Sequence, residues 1–464
     1  MITTIRNAWK IEELRKKILF TLFALLIFRL GSVIPVPFIN SDALADELGR
    51  QSGTIFGLLN AMSGDAFAQA TVFALSIQPY INSSIIIELL CIAIPALERM
   101  QKEGGEEGRK KIAAITRYTT VAIAILQGFG YFTLIRSWGL LNPSVGMPGW
   151  LMGVIIVLAF TAGSAFLMWL GEQITEFGIG NGISMILFAG IVARVPSMIS
   201  SMISGVSIWS EVSSQGAEAV VSNLTQTRGY TAAQAQSYVD SAMHPVMIPL
   251  FIIGMLLLVI FIVFITNSER RIPVQYAKRV VGRKMYGGQA THLPMKVNMS
   301  GVLPIIFAQS IASLPATIAA FAGVTKDSGG FGGGFMRVFD SSGVVYAIVY
   351  FLLIVGFSYF YSSIQFNPIE VANNLKNNGG FVPGFRPGKP TADFLRKVLS
   401  KITMFGALYL AVIALLPIIT GNIIGNSALS LGGTSIIIVV GVALETVKAM
   451  EAQMLMRHYK GFLE

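Results

Sequence analysis

Charge is what this sequence has least of. Only 12% of its 464 residues are Asp, Glu, Lys or Arg, about half the ~25% of an ordinary soluble domain. That poverty excludes a water-soluble enzyme, a soluble nucleic-acid binder and a disordered chain. Cysteine occurs once, as Cys91, so neither an intrachain disulfide nor a thiolate metal cage can form. The three histidines, His244, His292 and His458, are too few and too scattered for a metal site. No cofactor is expected. A GxxxxGK[ST] phosphate loop and an HExxH pair are both missing, so the chain carries no nucleotide motor and no zinc-hydrolase signature. No histidine lies within an expected span to activate the serine of Gly182-Ile183-Ser184, which leaves a serine-protease reading without a base.

What is abundant is apolar surface. Hydrophobic residues make up 53% of the chain, and the mean hydropathy is +0.67. Crossing ~30 Å of hydrocarbon takes about 20 apolar residues. Stretches 66–87, 137–171, 241–268, 297–325, 341–369 and 402–444 carry no charged residue at all. The last contains Pro417, Gly421 and Gly425 and divides into two spans. We expect ten helices, near 18–36, 74–96, 112–136, 151–171, 181–203, 245–266, 299–322, 344–365, 401–419 and 431–451. The basic segment 1–17 leads into an apolar run from Ile18 to Pro37. That run is longer than the ~7–15-residue core of a cleaved signal, so it reads as a retained span.

With the N-terminus inside, 27 Lys and Arg residues fall in inside segments and six in outside segments, with Arg29 inside a span. That asymmetry is the positive-inside pattern, and it puts both termini in the cytoplasm. Ten spans divide into an N-terminal half, 1–203, and a C-terminal half, 244–464, joined by a polar outer loop, 204–243. Five spans per half give opposite orientations, which suits an inverted repeat. The loop is either a small helical hairpin or irregular. Between Gly53 and Met100 the apolar segment is too long for one span and is broken at Gly64-Asp65 and again at Pro79. A short helix near 54–64 followed by a span from about 74 is expected. That short helix either folds into a cavity or rests on the outer surface. From the residues alone, a passive channel and a small-solute transporter both remain open. A transporter would place ionisable coupling groups mid-membrane, for which Arg29, Glu88 and Glu445 are the candidates.

Specific strings narrow this. They are QPYINSSIII at 78–87, KEGGEEGRKKI at 102–112, EFGIGNGIS at 176–184 and RRIPVQYAKR at 270–279. THLPMKVNMSGVLPIIFA at 291–308, FNPIEVANNLKNNGGFVPGFRPGKPT at 366–391 and LGGTSIIIVVGVALE at 431–445 complete the set. Together, in order, they resemble the SecY family of protein-conducting channels. The resemblance implies an all-α polytopic membrane protein with ten transmembrane helices in two inverted, pseudo-symmetric halves. The N-terminal half would hold helices one to five and the plug. The C-terminal half would hold helices six to ten and large cytoplasmic loops at 268–298 and 367–401. The implied function is translocation of unfolded secretory polypeptides across the bacterial cytoplasmic (inner) membrane, with hydrophobic segments released sideways into lipid. Two features depart from the pattern: the long 204–243 loop, and Glu88, a carboxylate in the gate helix.

The resemblance also assigns roles. A pore ring falls on Ile81, Ile85, Ile183, Leu187, Ile306 and Ile438. Such an apolar collar dewets and resists ions, yet it yields to a passing chain because aliphatic contacts have no preferred direction. A plug falls on Ile55, Phe56, Gly57, Leu58, Leu59, Asn60, Ala61 and Met62. A lateral gate falls on Ser84, Gln127 and Asn298, uncharged groups able to bond across a seam. Docking of the motor ATPase SecA, or of the ribosome, falls on Arg270, Arg271, Lys278, Arg279, Arg386 and Lys389. The two basic loops hold 13 Lys and Arg residues. Topology alone explains charge there, but not the Pro/Gly-rich FVPGFRPGKP, which suggests a stiff turn. SecE and SecG are the implied small partners, SecE clamping the halves, and precursor polypeptides and lipid are the implied passengers and surroundings.

Overall fold

A computed structural model describes residues 2–50, 59–60, 63–142, 147–227, 232–276, 279–281, 284–286, 290–299, 301–321, 334, 343–424 and 433–460. The helices run α1 (Ile2–Lys10), α2 (Glu12–Gly31), α3 (Ser41–Arg50), α4 (Gln78–Ala93), α5 (Pro95–Lys102), α6 (Gly105–Ser137), α7 (Gly149–Phe177), α8 (Gly182–Ala193) and α9 (Val195–Gln215). Next come α10 (Ala217–Thr227), α11 (Ala232–Asp240) and α12 (Met247–Asn267), then strands β1 (Glu269–Tyr276), β2 (Arg279–Val281), β3 (Lys284–Tyr286) and β4 (Ala290–Lys296). The chain continues with α13 (Leu303–Phe321), α14 (Val344–Gln365), α15 (Pro368–Asn377), β5 (Gly380–Phe381), α16 (Lys389–Ile424) and α17 (Gly433–Lys460).

Each of the ten expected segments contains helix, although 32–36 of the first and 74–77 of the second are not helical. Among the described residues, six helical stretches are long and apolar enough to cross a membrane by themselves. A seventh is the bent pair Gln78–Ala93 and Pro95–Gln101, which turns by 106°. Proline explains where several helices begin. Pro79, Pro95, Pro196 and Pro368 each sit in a first helical turn, where a missing N–H costs nothing. The second span therefore starts at Gln78, not near 74, and Pro79 opens the helix instead of distorting it. The fifth span is broken at Arg194, just ahead of Pro196.

Contacts divide the chain into two compact units. The first comprises Met1–Gly254, Ser313–Tyr346 and Pro417–Glu464. One of its cores centres on Tyr131, whose ring stacks on Phe67 at 4.4 Å and packs against Phe160 at 5.1 Å. The Tyr131 hydroxyl donates to the Phe67 carbonyl. Leu44, Ile135 and Ile156 fill the space around these rings. Residues 64–77 are turns, not helix, and much of the segment is buried. Buried irregular backbone must find its hydrogen bonds inside the protein. Here the Val36 N–H donates to the Ala70 carbonyl and the Val72 N–H to the Ile34 carbonyl, each at 3.0 Å. The 204–243 segment forms a helical hairpin. Val220 and Leu224 of α10 bury against Ala235 and Val239 of α11. Helix α1 packs on α17, where the Thr4 hydroxyl donates to Glu451 Oε1 at 3.1 Å.

The second unit comprises Met255–Ala312 and Ala347–Leu416. Segment 268–298, a loop by hydropathy, is a β-ribbon. β1 pairs antiparallel with β4, from Glu269 opposite Lys296 to Gln275 opposite Ala290, and with β5 along its other edge. Ile272, Val274 and Met295 bury on Ala372, Val382, Leu395 and Leu399. Apolar residues alternate along β1 because one sheet face covers this small core and the other faces away.

Candidate channel lining and docking surface

In the first unit, α4 carries Ile81 and Ile85 one turn apart, both buried. The Ser83 hydroxyl donates to the Thr116 carbonyl at 2.8 Å, pinning α4 to α6. Ser84 and, on α6, Gln127 are half-buried. The start of α8 is built by the EFGIGNGIS string, residue by residue. Gly180 takes φ +77°, a left-handed conformation that favours glycine. The Asn181 side-chain oxygen accepts from the Ile183 and Ser184 N–H groups at 3.0 and 3.2 Å, an N-cap. Gly182 packs so tightly on α7 that a Cβ there would lie 1.9 Å from the Gly171 carbonyl oxygen. Its N–H donates to the Thr175 hydroxyl at 2.9 Å. These contacts set the rotation of α8. Leu187 is buried, and Ile183, partly exposed, points toward Gly171.

Helix α8 packs against both α7 and α17. On α17, Ile438 is buried, and the Thr446 hydroxyl lies 3.5 Å from Met185 Sδ of α8. Five of the six expected ring residues thus occupy three helices of one compact unit. The sixth, Ile306, is buried on α13 in the second unit. Asn298, also in the second unit, is buried, and its Oδ1 has no hydrogen-bond partner among the described residues. An unmet buried amide oxygen costs about 1–3 kcal/mol.

Of the expected plug, only Leu59 and Asn60 are described. Ile55, Phe56, Gly57, Leu58, Ala61 and Met62 lie outside the described residues. Asn60 holds the turn that follows. Its Nδ2 donates to Asp65 Oδ1 at 2.8 Å, and its Oδ1 accepts from the Ala68 N–H at 2.9 Å.

The residues expected to dock a motor or ribosome belong to the second unit. Arg270 and Arg271 are exposed on β1, and Arg271 Nε lies 2.8 Å from Glu269 Oε1. Arg279 begins β2, and Lys278 lies outside the described residues. Arg386 and Lys389 are exposed on the Pro/Gly-rich turn. That turn is shaped by left-handed Gly384 and Gly388, at φ +88° and +102°. Phe385 stacks on Phe394 at 4.2 Å, and the Thr391 hydroxyl donates to the Arg386 carbonyl at 2.8 Å. The loop is braced on both sides of Arg386, which presents its guanidinium to solvent from a fixed base.

The sequence analysis missed one pair. Arg194 Nε lies 2.9 Å from Asp65 Oδ1, and both side chains are largely buried. Each residue was legible only as an outer-loop charge or as a helix break, because no local pattern ties positions so far apart.

The SecY family model matches residues 71–447. The protein translocase subunit SecY of Streptomyces scabiei is 42% identical over the full length of both chains. The chain belongs to the SecY family. SecY-family proteins are protein-conducting channel subunits of the membrane, not enzymes, and this chain shares that role and the SecY-like fold. Solved structures agree on the fold. One, described by the plug domain of SecY and its part in the closed state and the membrane seal, aligns with a TM-score of 0.59 and 17% identity, covering 95% of this chain and 92% of that one. Sec61 in the canine ribosome-channel complex aligns with a TM-score of 0.53 at 17% identity and the same coverage.

Proposed function

We propose that this SecY-family subunit conducts unfolded secretory polypeptides through a pore ringed by Ile81, Ile85, Ile183, Leu187, Ile306 and Ile438. Residues 55–62 plug it at rest. Ser84, Gln127 and Asn298 line a lateral gate through which hydrophobic segments leave for lipid. Motor force comes from SecA or from the translating ribosome, docked on Arg270, Arg271, Lys278, Arg279, Arg386 and Lys389. SecE and SecG complete the complex in a bacterial inner membrane, with both termini cytoplasmic. The halves 1–203 and 244–464, joined by 204–243, are the inverted repeat.

One observation carries this reading. Ile81 and Ile85 of α4, Leu187 of α8 and Ile438 of α17 are all buried aliphatics. A collar of such side chains excludes water and ions and still deforms around a chain. The docking part is supported by the exposed Arg386, held on a braced turn beside the basic β-ribbon. Ribosomal RNA is polyanionic, so such a surface binds it with strong salt dependence. Site-specific crosslinking from Ile81 and from Ile306 to a precursor arrested in transit tests the ring. We expect crosslinks that need both SecA and a signal sequence. Export without crosslinks at either position removes the ring assignment.

A further inference from the structure

Glu88 is the single Asp, Glu, Lys or Arg between Asp65 and Glu98, and it sits within α4, in a segment expected to span the bilayer. A carboxylate at such depth is costly, and it is retained where it meets a cavity, a partner or a passing substrate. Glu88 is half-buried, so part of its side chain stays accessible. Residues three, four and seven apart share one helix face. Ile85, Ser84 and Ile81 stand at those spacings before Glu88. The first and last belong to the proposed ring, and Ser84 to the proposed gate. Glu88 lies about 4.5 Å along the helix axis from Ile85, toward the end of α4 at Ala93. Beyond that end the chain bends by 106° into α5. A different side of α4 is committed to packing, where Ser83 bonds the Thr116 carbonyl of α6.

The charge around this site has one sign in excess. Segments expected inside carry 27 Lys and Arg residues. Helices α6 and α7 both pack against α4, and three of their carboxylates are held in ion pairs. Glu172 of α7 meets Arg117 of α6 at 2.9 Å, while Glu106 and Glu107 of α6 meet Lys110 and Lys111 at 3.0 and 3.7 Å. A secretory signal joins a positively charged start to an apolar core. Its apolar core is suited to a seam between helices, but its positive start is repelled by a basic field. A carboxylate within one turn of both Ser84 and Ile85 offsets that repulsion beside the seam.

We propose that Glu88 is a specificity-determining residue, whose carboxylate receives the basic start of a signal sequence while the apolar core of that signal enters the seam beside Ser84. The proposal rests on the channel reading above. The same attraction holds the positive start on the side where Lys and Arg are retained. Discrimination between signals is a difference of affinities, and a signal with a neutral or acidic start forgoes this attraction.

The test uses the full complex in vesicles with SecA and ATP, for the parent and for Glu88→Gln, Glu88→Asp and Glu88→Lys. Export is measured for one precursor whose signal is given a basic, a neutral or an acidic start. The readout is the ratio of rates within one vesicle preparation, which does not depend on how much channel is present. The parent and Glu88→Asp should favour the basic start over the neutral one. Glu88→Gln should reduce that preference about tenfold, within the range of coupling between contacting groups. Glu88→Lys should reverse it and favour the acidic start. A preference unchanged in Glu88→Gln and Glu88→Lys overturns the proposal. So does a Glu88→Asp that behaves as Glu88→Gln, or an equal loss of all three precursors, the mark of a structural role. A parent that exports all three at one rate sinks the proposal alone. Export that proceeds without this chain sinks the channel reading and the proposal with it.

Discussion

Single residues in this chain are constrained by backbone as much as by side chain. Gly182 lies against the Gly171 carbonyl, with no room for a methyl group. Gly182→Ala should push α8 off α7 and cost about 1–3 kcal/mol, the usual penalty of overpacking. The melting temperature of the purified protein in detergent should fall; an unchanged value would mean that α8 is free to shift. The aliphatic residues proposed for the ring are a different case. Isoleucine suits both lipid and protein interior, so sequence alone does not separate them. Ile85 and Ile87 are buried while Ile86 between them is exposed. Only the resemblance picked out Ile81 and Ile85, and only the packing on α6 and α7 shows why that face of α4 turns inward.

Elements show the same division of labour. Helices were legible because charge-free stretches of sufficient length leave the backbone no alternative in hydrocarbon. The β-ribbon at 269–296 was hidden because its strands lie in a basic stretch that reads as a loop. Its Ile272 and Val274 alternate only once the partner core of Leu395 and Leu399 is known. The Pro/Gly-rich turn after β5, whose composition suggested a stiff turn, is held by Phe385 stacked on Phe394 and by the Thr391 hydroxyl on the Arg386 carbonyl. Arg386→Glu should cripple SecA-driven export while membrane levels of the protein stay at parental values. Because Arg386 is exposed and its carbonyl makes the structural bond, a fall in protein level along with export would point to a folding role instead.

At the scale of the whole molecule, orientation is the property that charge alone predicts. Inside segments carry 27 Lys and Arg residues and outside segments six. Cys91 is buried, so single cysteines can be introduced on the surface over a quiet background. Ser214→Cys, on the outer hairpin, should react with a membrane-impermeant maleimide in intact cells. Asn377→Cys, exposed at the end of α15 in a segment expected inside, should react only after the membrane is opened. The reverse pattern would invert the topology.

By itself the sequence determined the membrane class, the charge asymmetry and, through ordered strings such as EFGIGNGIS and FVPGFRPGKP, the family. Each of these is local, written in runs or short spacings. Tertiary structure alone decided which aliphatics are buried, where the second span begins, how the turns at 64–77 satisfy their backbone, and that Asp65 meets Arg194. These depend on groups far apart in the chain. A desolvated pair, or a glycine with no room for a methyl group, leaves no mark on the residues beside it.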